Sequence, residues 1–251
     1  MPPTSPVELF EAGFKVGLFD GAPGYGKPGS CPVCEEAETV ALPNNLSRCP
    51  ACSHVFQTDL RITCRYDVNY ALQYEKLACE SMSAARCGLL LGLLDLPEKA
   101  KILDVGYANG AFLKSMARIG YDVYGIDLHG HDFGIREVSF DDELDFNLTC
   151  FFDSLEHFSD LELPLKIKTD YAIVSLPNMP PFFPERPEAW KHYKPGEHLH
   201  YFTAGSLDYY MRRWGLARKL AFGHTEDVVR GRYMYEGRLL PNIYTAVYGR
   251  N

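Results

Sequence analysis

The chain has 251 residues, is 46% hydrophobic and carries a formal net charge of -8, so it can bury one sizeable core beside a small appendage. The acidic balance argues against non-specific nucleic-acid binding, which needs Lys and Arg to neutralise phosphates. No apolar run approaches the ~18 residues that span a bilayer, and the first residues lack the pattern of a signal peptide. We therefore expect a cytoplasmic protein without a membrane partner.

Two Cys-x-x-Cys pairs follow a Gly- and Pro-rich segment, residues 1–30, which is predicted to be a flexible lead-in. The four cysteines are Cys31, Cys34, Cys49 and Cys52. Thiolate pairs on two tight turns can close a tetrahedron around Zn²⁺, although unrelated thiols or a redox pair remain alternatives. We expect residues 31–62 to form a zinc-ribbon-like module with a structural role, because four thiolates leave no open position for substrate.

The remaining chain changes from a helical to an alternating pattern. Residues 66–96 have apolar residues at helical spacing, and Pro97 ends this pattern. Residues 63–100 are therefore predicted to form a helical connector that covers a cofactor site. Strand and helix patterns then alternate, which predicts a parallel sheet in one domain over residues 101–251. The predicted strands cover residues 101–107, 122–128, 147–155, 170–178, 216–224 and 242–250, with a helix over 110–120.

The first of these strands leads into a glycine-rich turn, "LDVGYANGAFL". Small residues at Gly106 and Gly110 allow a tight bend and the close approach of a ligand. Asp104 lies where it would repel a pyrophosphate but suit an ammonium group, and Asp127, at the end of the next strand, can accept both hydroxyls of a ribose. A ribose without phosphate and a positively charged amino-acid tail describe S-adenosylmethionine (SAM). Each carboxylate taken alone is equally typical of an ordinary turn or capping residue.

These motifs resemble those of class I SAM-dependent methyltransferases. "LDVGYANGAFL" is similar to motif I, with Ala108 in place of the middle glycine, and "GIDL", "FFDSLEHFSD" and "YAIVSLPN" follow in the order of the family. The resemblance covers about residues 66–251. It implies an α/β fold with a Rossmann-like, seven-stranded sheet, helices on both faces and a terminal antiparallel hairpin. The cofactor-binding residues that it implies are Asp104, Gly106, Tyr107, Ala108, Asn109, Gly110, Asp127, Leu128, Asp153, Ser154, Leu155, Tyr70 and Tyr74.

A narrower resemblance concerns the acceptor. A four-cysteine module before such a domain, with "GEHLHYFT" after the fifth strand, is similar to sugar C-methyltransferases that act on nucleotide-linked deoxysugars. Histidine titrates near neutrality and suits proton removal. We expect His198 to be the base, with Glu197 orienting it or sharing the role, and His157 to line the pocket. In the competing interpretation this segment is only a helix entry, with Thr203 as N-cap.

The expected function is methyl transfer from SAM to a small molecule. A methyltransferase acting on nucleic acid or a nucleotide base is the first alternative, and the acidic charge argues against it. A non-catalytic SAM-fold module that binds a partner protein is the second. The acceptor atom and the oligomeric state stay open at this stage.

Overall fold

The computed structural model describes residues 29–36, 38–63, 79–128, 132–223 and 225–250. The predictions for Tyr70 and Tyr74, for most of the lead-in and for the first part of the connector concern residues outside these ranges. The helices are α1 (Cys79–Leu93), α2 (Ala111–Arg118), α3 (Glu162–Leu165), α4 (Ala204–Arg213) and α5 (Asp227–Arg230). The strands are β1 (Val40–Leu42), β2 (Leu46–Arg48), β3 (Val55–Gln57), β4 (Lys101–Val105), β5 (Asp122–Ile126), β6 (Asp145–Phe152), β7 (Lys168–Pro177), β8 (His200–Tyr201), β9 (Ala217–Phe222), β10 (Tyr233–Tyr235), β11 (Arg238–Leu240) and β12 (Ile243–Gly249).

The central sheet has the strand order β5-β4-β6-β7-β12-β9. Strands β5, β4, β6 and β7 are parallel, whereas β12 is antiparallel to both of its neighbours. The predicted parallel sheet and terminal antiparallel pair are thus confirmed. The carboxyl ends of β4, β5 and β6 meet at one edge of the sheet, where open α/β sheets bind their ligands.

The prediction of seven strands is wrong for the residues described, which form six in this sheet. Where the resemblance implies an edge strand beside β5, a single parallel bridge joins Gly125 to Glu137. The N–H of Gly125 donates to the carbonyl of Arg136 at 3.0 Å, and the N–H of Val138 donates to the carbonyl of Gly125 at 3.0 Å. A turn begins at Phe140, so no longer ladder forms.

Strands β4, β7 and β12 are buried on both faces of the sheet, which explains their long apolar runs. On one face, α1 and α2 cover a cluster that includes Ile102 and Leu148, and the Ser83 hydroxyl of α1 donates to the Ala111 carbonyl of α2 at 3.1 Å. On the other face, α4 covers a cluster that includes Leu103 and also Val33 of the cysteine module, which is our name for residues 31–62. Helix α1 ends at Leu93, before Pro97.

The cysteine module joins the rest of the chain through a second sheet, of order β1-β2-β3-β8. Strand β3 pairs antiparallel with β8, with Val55 opposite Tyr201 and Phe56 opposite His200. Strand β8 directly follows the "GEHL" segment, so the module supports the chain that carries Glu197 and His198. Within the part of the chain that is described, none of the helices combines the length and hydropathy of a membrane span.

Candidate cofactor and acceptor site

The glycine bend follows β4 and is closely packed against the segment after β6. Gly106 has φ +84°, and a Cβ built on it would lie 2.6 Å from Cβ of Ser154. The Ser154 hydroxyl donates to the carbonyl of Val105 at 2.5 Å, and the Gly106 N–H donates to the carbonyl of Ile126 at 2.8 Å. The bend therefore requires glycine both for its backbone conformation and for space.

Replacing Gly106 by Ala is expected to lower the free energy of unfolding by about 2–4 kcal/mol, from a left-handed backbone cost and a clash. Gly120→Ala is the matched control, because Gly120 has φ +99° but nothing within 4 Å of the added Cβ. It should show only the backbone cost of about 1–2 kcal/mol. Urea unfolding measures both, and equal losses in the two variants would contradict the packing against Ser154.

Asp127 joins the glycine bend to the end of β5. Its Oδ2 accepts the N–H of Ala108 at 2.8 Å, and its Oδ1 accepts the N–H of Leu128 at 2.6 Å. Ala108 has φ +51°, a left-handed conformation that costs a non-glycine residue about 1–2 kcal/mol. Helix α2 begins after Gly110, where the Asn109 side chain accepts the N–H of Ala111 at 3.1 Å. The structure thus brings the predicted residues of the bend together with Asp127.

Asp104 is a buried carboxylate, 3% exposed, next to this bend. Its Oδ1 has no hydrogen-bond partner among the described residues. Burial, with the repulsion of Asp127 added, raises the pKa of Asp104 to about 7 against the attraction of Arg86. A buried acceptor atom without a hydrogen bond lowers the stability of the protein, and a cationic group of a ligand would supply the missing partner.

The side chains of two predicted cofactor-binding residues, Tyr107 and Leu155, pack against other parts of the protein. The Tyr107 ring lies against Gly125, where a built Cβ would be 2.3 Å from ring Cδ1, and its hydroxyl donates to Glu137 at 2.8 Å. Leu155 is fully buried in the core, and the segment after β6 begins a short 3₁₀ turn there. Contacts of Tyr107 with a cofactor would therefore come from its backbone.

Asp153 lies in a half-buried ion network that the sequence interpretation missed. It is paired with Arg230 of α5 and with Arg86 of α1, whose Nη2 lies 3.4 Å from Oδ2. Both arginines also pair with Glu226, at 2.8 Å from Arg86 Nε and 2.6 Å from Arg230 Nε. Burial raises the pKa of Asp153, but Arg230 and Arg86 outweigh it and lower the pKa overall. Only the i, i+4 spacing of Glu226 and Arg230 was visible in the sequence.

The predicted base residues converge beside the segment after β6. His157 Nδ1 lies 2.8 Å from the Glu197 carbonyl oxygen, and the rings of His157 and His198 meet edge to face with centroids 4.7 Å apart. Glu197 Oε1 lies 3.8 Å from His198 Nε2 and accepts from Lys194 Nζ at 2.7 Å. Burial, and next the charge of His157, lowers the pKa of His198 well below its usual value.

Glu156 extends this cluster, and the sequence interpretation did not assign it a role. Its side chain is buried, and neither carboxylate oxygen accepts a hydrogen bond from a described residue. Burial and the charge of Asp153 raise the pKa of Glu156 well above its usual value. Its Oε1 lies 3.8 Å from His157 Nε2.

His200 belongs to the core. Its Nε2 lies 2.8 Å from the Phe158 carbonyl oxygen, and its Nδ1 lies 3.1 Å from His54 Nε2 of the cysteine module. Thr203 forms a capping box with Ser206 at the start of α4, as its spacing predicted. The helix-entry interpretation and the clustering of His198 with Glu197 are therefore compatible.

The four cysteines come together in a tight group. Sγ of Cys31 lies 3.6 Å from Sγ of Cys52, and Sγ of Cys34 lies 3.5 Å from Sγ of Cys49. All four sulfurs lie within 4.8 Å of one another. A tetrahedron of Zn–S bonds of about 2.3 Å has S···S edges of about 3.8 Å, so the donor set fits a zinc ion.

The order of the sheet, the glycine bend after β4 and the carboxylate after β5 are features of class I SAM-dependent methyltransferases. A methyltransferase domain family matches residues 80–218, more than half of the chain. The chain belongs to this family and is a SAM-dependent methyltransferase. No curated protein matches its sequence.

Solved structures show the same fold at low sequence identity. A SAM-dependent methyltransferase from Archaeoglobus fulgidus is 15% identical with a TM-score of 0.50, over 74% of this chain and all of that one. A chain of the complex between the Trm112 methyltransferase activator and a methyltransferase of Haloferax volcanii is 11% identical with a TM-score of 0.53, over 74% of this chain and 99% of that one.

Proposed function

We propose that the protein transfers the methyl group of SAM to a small-molecule acceptor, with nucleotide-linked sugars as the first acceptor class to test. The observation that carries the proposal is the pair of carboxylates at neighbouring strand ends, Asp104 and Asp127, across the glycine bend. Asp104 would hold the ammonium group of the cofactor, and Asp127 would hold its ribose. Asp153, Ser154 and Leu155 would border the adenine.

The cofactor supplies an electrophilic methyl group, and the protein supplies alignment and, for an acceptor that carries a proton, a base. Glu197 and His198 would act as that base, because they lie together at the end of the segment that joins β7 to β8, with His157 beside them. Since the Glu197 carboxylate also pairs with Lys194, the lysine would hold it in a fixed orientation.

The cysteine module would bind one structural Zn²⁺ through Cys31, Cys34, Cys49 and Cys52. Support comes from the sulfur spacing and from the pairing of β3 with β8. The ion would act at a distance from the reaction, by fixing the strand that follows Glu197 and His198.

The deciding experiment combines calorimetric binding of SAM with transfer of a tritiated methyl group to a panel of nucleotide-linked sugars and to tRNA. We expect micromolar binding, transfer to a sugar, and a loss of at least about tenfold in transfer rate in His198→Asn, as for a removed general base, with SAM binding retained. Transfer to tRNA instead would favour the nucleic-acid alternative. Binding without transfer to either class would favour the partner-binding module, and absence of binding would refute the proposal.

A proton is expected to leave Asp104 when SAM binds. The pKa of about 7 means that the free carboxyl group is mostly protonated below that pH, whereas an ammonium ligand favours the ionised form. Affinity should therefore rise with pH up to about 7, with nearly one proton released per SAM at about pH 6. Above about pH 8 the α-amino group of SAM loses its own proton, so affinity should fall and binding should take up a proton instead. Calorimetry in buffers of different ionisation enthalpy measures this release. The Asp104→Asn variant should release none, and equal release by both proteins would contradict the assignment.

A further inference from the structure

Three metal-ligating side chains form a buried group that we call the triad: Glu156, His157 and His198. Glu156 is 1%, His157 7% and His198 4% exposed. One ligand atom from each lies within 4.8 Å of the others. The triad is separate from the four cysteines and has a different chemistry, two imidazoles and a carboxylate.

Glu156 is the member of the triad whose side-chain oxygens lack hydrogen-bond partners in the described part of the chain. Both of its oxygens are buried without a hydrogen-bond partner in another described residue, and burying an ionised carboxylate in this way is costly. The 3.8 Å between its Oε1 and His157 Nε2 is too long for a hydrogen bond. Protonation would remove the charge but would not by itself satisfy these oxygens, because no acceptor among the described residues lies within hydrogen-bond distance of the added O–H. A cation between the carboxylate and the imidazoles would.

His157 is oriented as metal-binding histidines usually are. The carbonyl oxygen of Glu197 can only accept, so His157 Nδ1 carries the hydrogen and Nε2 presents its lone pair towards Glu156. Such bonds fix the tautomer and the ring plane of metal-binding histidines.

We propose that the triad binds a divalent transition-metal ion of the Zn²⁺ or Fe²⁺ type. Two histidines and one carboxylate are a common donor set for these ions. At metal–ligand distances of about 2.1 Å the ligand atoms lie roughly 3.0–3.4 Å apart, so the side chains need to close by about 1 Å around the ion. Three protein ligands leave at least one position for water or for an oxygen of a bound molecule.

The inference goes beyond the proposed function and holds whatever the acceptor is. It changes the identity of the proposed base, because a His198 nitrogen that binds an ion can no longer accept a proton. Glu197, which is outside the triad, would then remain as the proton acceptor.

Cobalt is the probe that separates the two sites, because thiolate ligands give Co²⁺ intense charge-transfer bands that nitrogen and oxygen ligands do not. The full chain, freed of metal and reloaded with Co²⁺ alone, should bind two ions, one with thiolate bands and one without. Glu156→Gln should bind one ion, keep the thiolate bands and keep its affinity for SAM within about twofold. Glu188→Gln, an exposed carboxylate elsewhere, should still bind two.

Binding of a single ion by the unaltered chain, or of two by Glu156→Gln, would overturn the proposal. The thiolate bands report in the same sample whether the cysteine module is folded. If Glu156→Gln loses the thiolate bands, its cysteine module is not folded, and His198→Asn takes its place as the test variant. His198→Asn should then bind one ion, and binding of two ions by this variant would also overturn the proposal. Because SAM binding is measured separately, failure of the metal site and failure of the methyltransferase assignment give different results.

Discussion

Asp127→Asn is expected to weaken SAM binding by about two orders of magnitude. The carboxylate is proposed to accept two ribose hydroxyls, and charge-assisted hydrogen bonds contribute about 1.5–3 kcal/mol each. Loss of the charge and of one acceptor oxygen would remove roughly 3 kcal/mol, which corresponds to about a hundredfold in Kd. Isothermal titration calorimetry with SAM measures the change.

Asparagine is chosen over alanine because Asp127 also accepts the backbone N–H groups of Ala108 and Leu128. The amide oxygen can keep one of these bonds, so the bend should retain its shape. Asp122→Asn is the control, since Asp122 is an exposed acid at the opposite end of the same strand. An unchanged Kd in Asp127→Asn, with a native unfolding temperature, would remove Asp127 from the cofactor site.

Cys34→Ser is expected to abolish zinc binding at the cysteine module and to lower the unfolding temperature by about 10 °C. For a chain of this size such a shift corresponds to about 3–4 kcal/mol. Cys34 is the least buried of the four cysteines, so its replacement changes metal ligation more than core packing. Zinc content by atomic emission and thermal unfolding by circular dichroism are the measurements.

The control for this variant is Cys87→Ser, a half-buried cysteine of α1 that lies outside the module. It should keep the thiolate-bound zinc. A Cys34→Ser protein that loses the ion but unfolds at the unaltered temperature would show that the ion does not stabilise the fold. One that keeps the ion would show that this thiolate is not a ligand.

The sequence predicted the parts of the fold that depend on local pattern. Strand β4 is observed at Lys101–Val105 and β12 at Ile243–Gly249, within a few residues of the predicted spans. These strands are buried on both faces, so their apolar runs are unbroken and easy to recognise. The prediction of an edge strand beside β5 was wrong, because an edge strand depends on how far the neighbouring segment can extend its pairing. Here the pairing with β5 stops at Glu137.

The candidate site was predictable only where its residues follow strand ends. Asp104, Asp127 and the bend between them were found in this way, and their roles in binding remain predictions. The Arg86 network was missed because Arg86 meets Glu226 across 140 positions of sequence, a distance over which spacing carries no signal. The orientation of Tyr107 was equally hidden, since it depends on the space that Gly125 leaves on the adjacent strand.

The antiparallel pairing of β3 with β8 has a consequence for protein engineering. A shortened chain that starts at residue 63 would leave the outer edge of His200–Tyr201 uncovered, and bare strand edges invite aggregation. Chimaeras that exchange acceptor preference between relatives would therefore have to transplant residues 31–62 and 196–203 as a matched set.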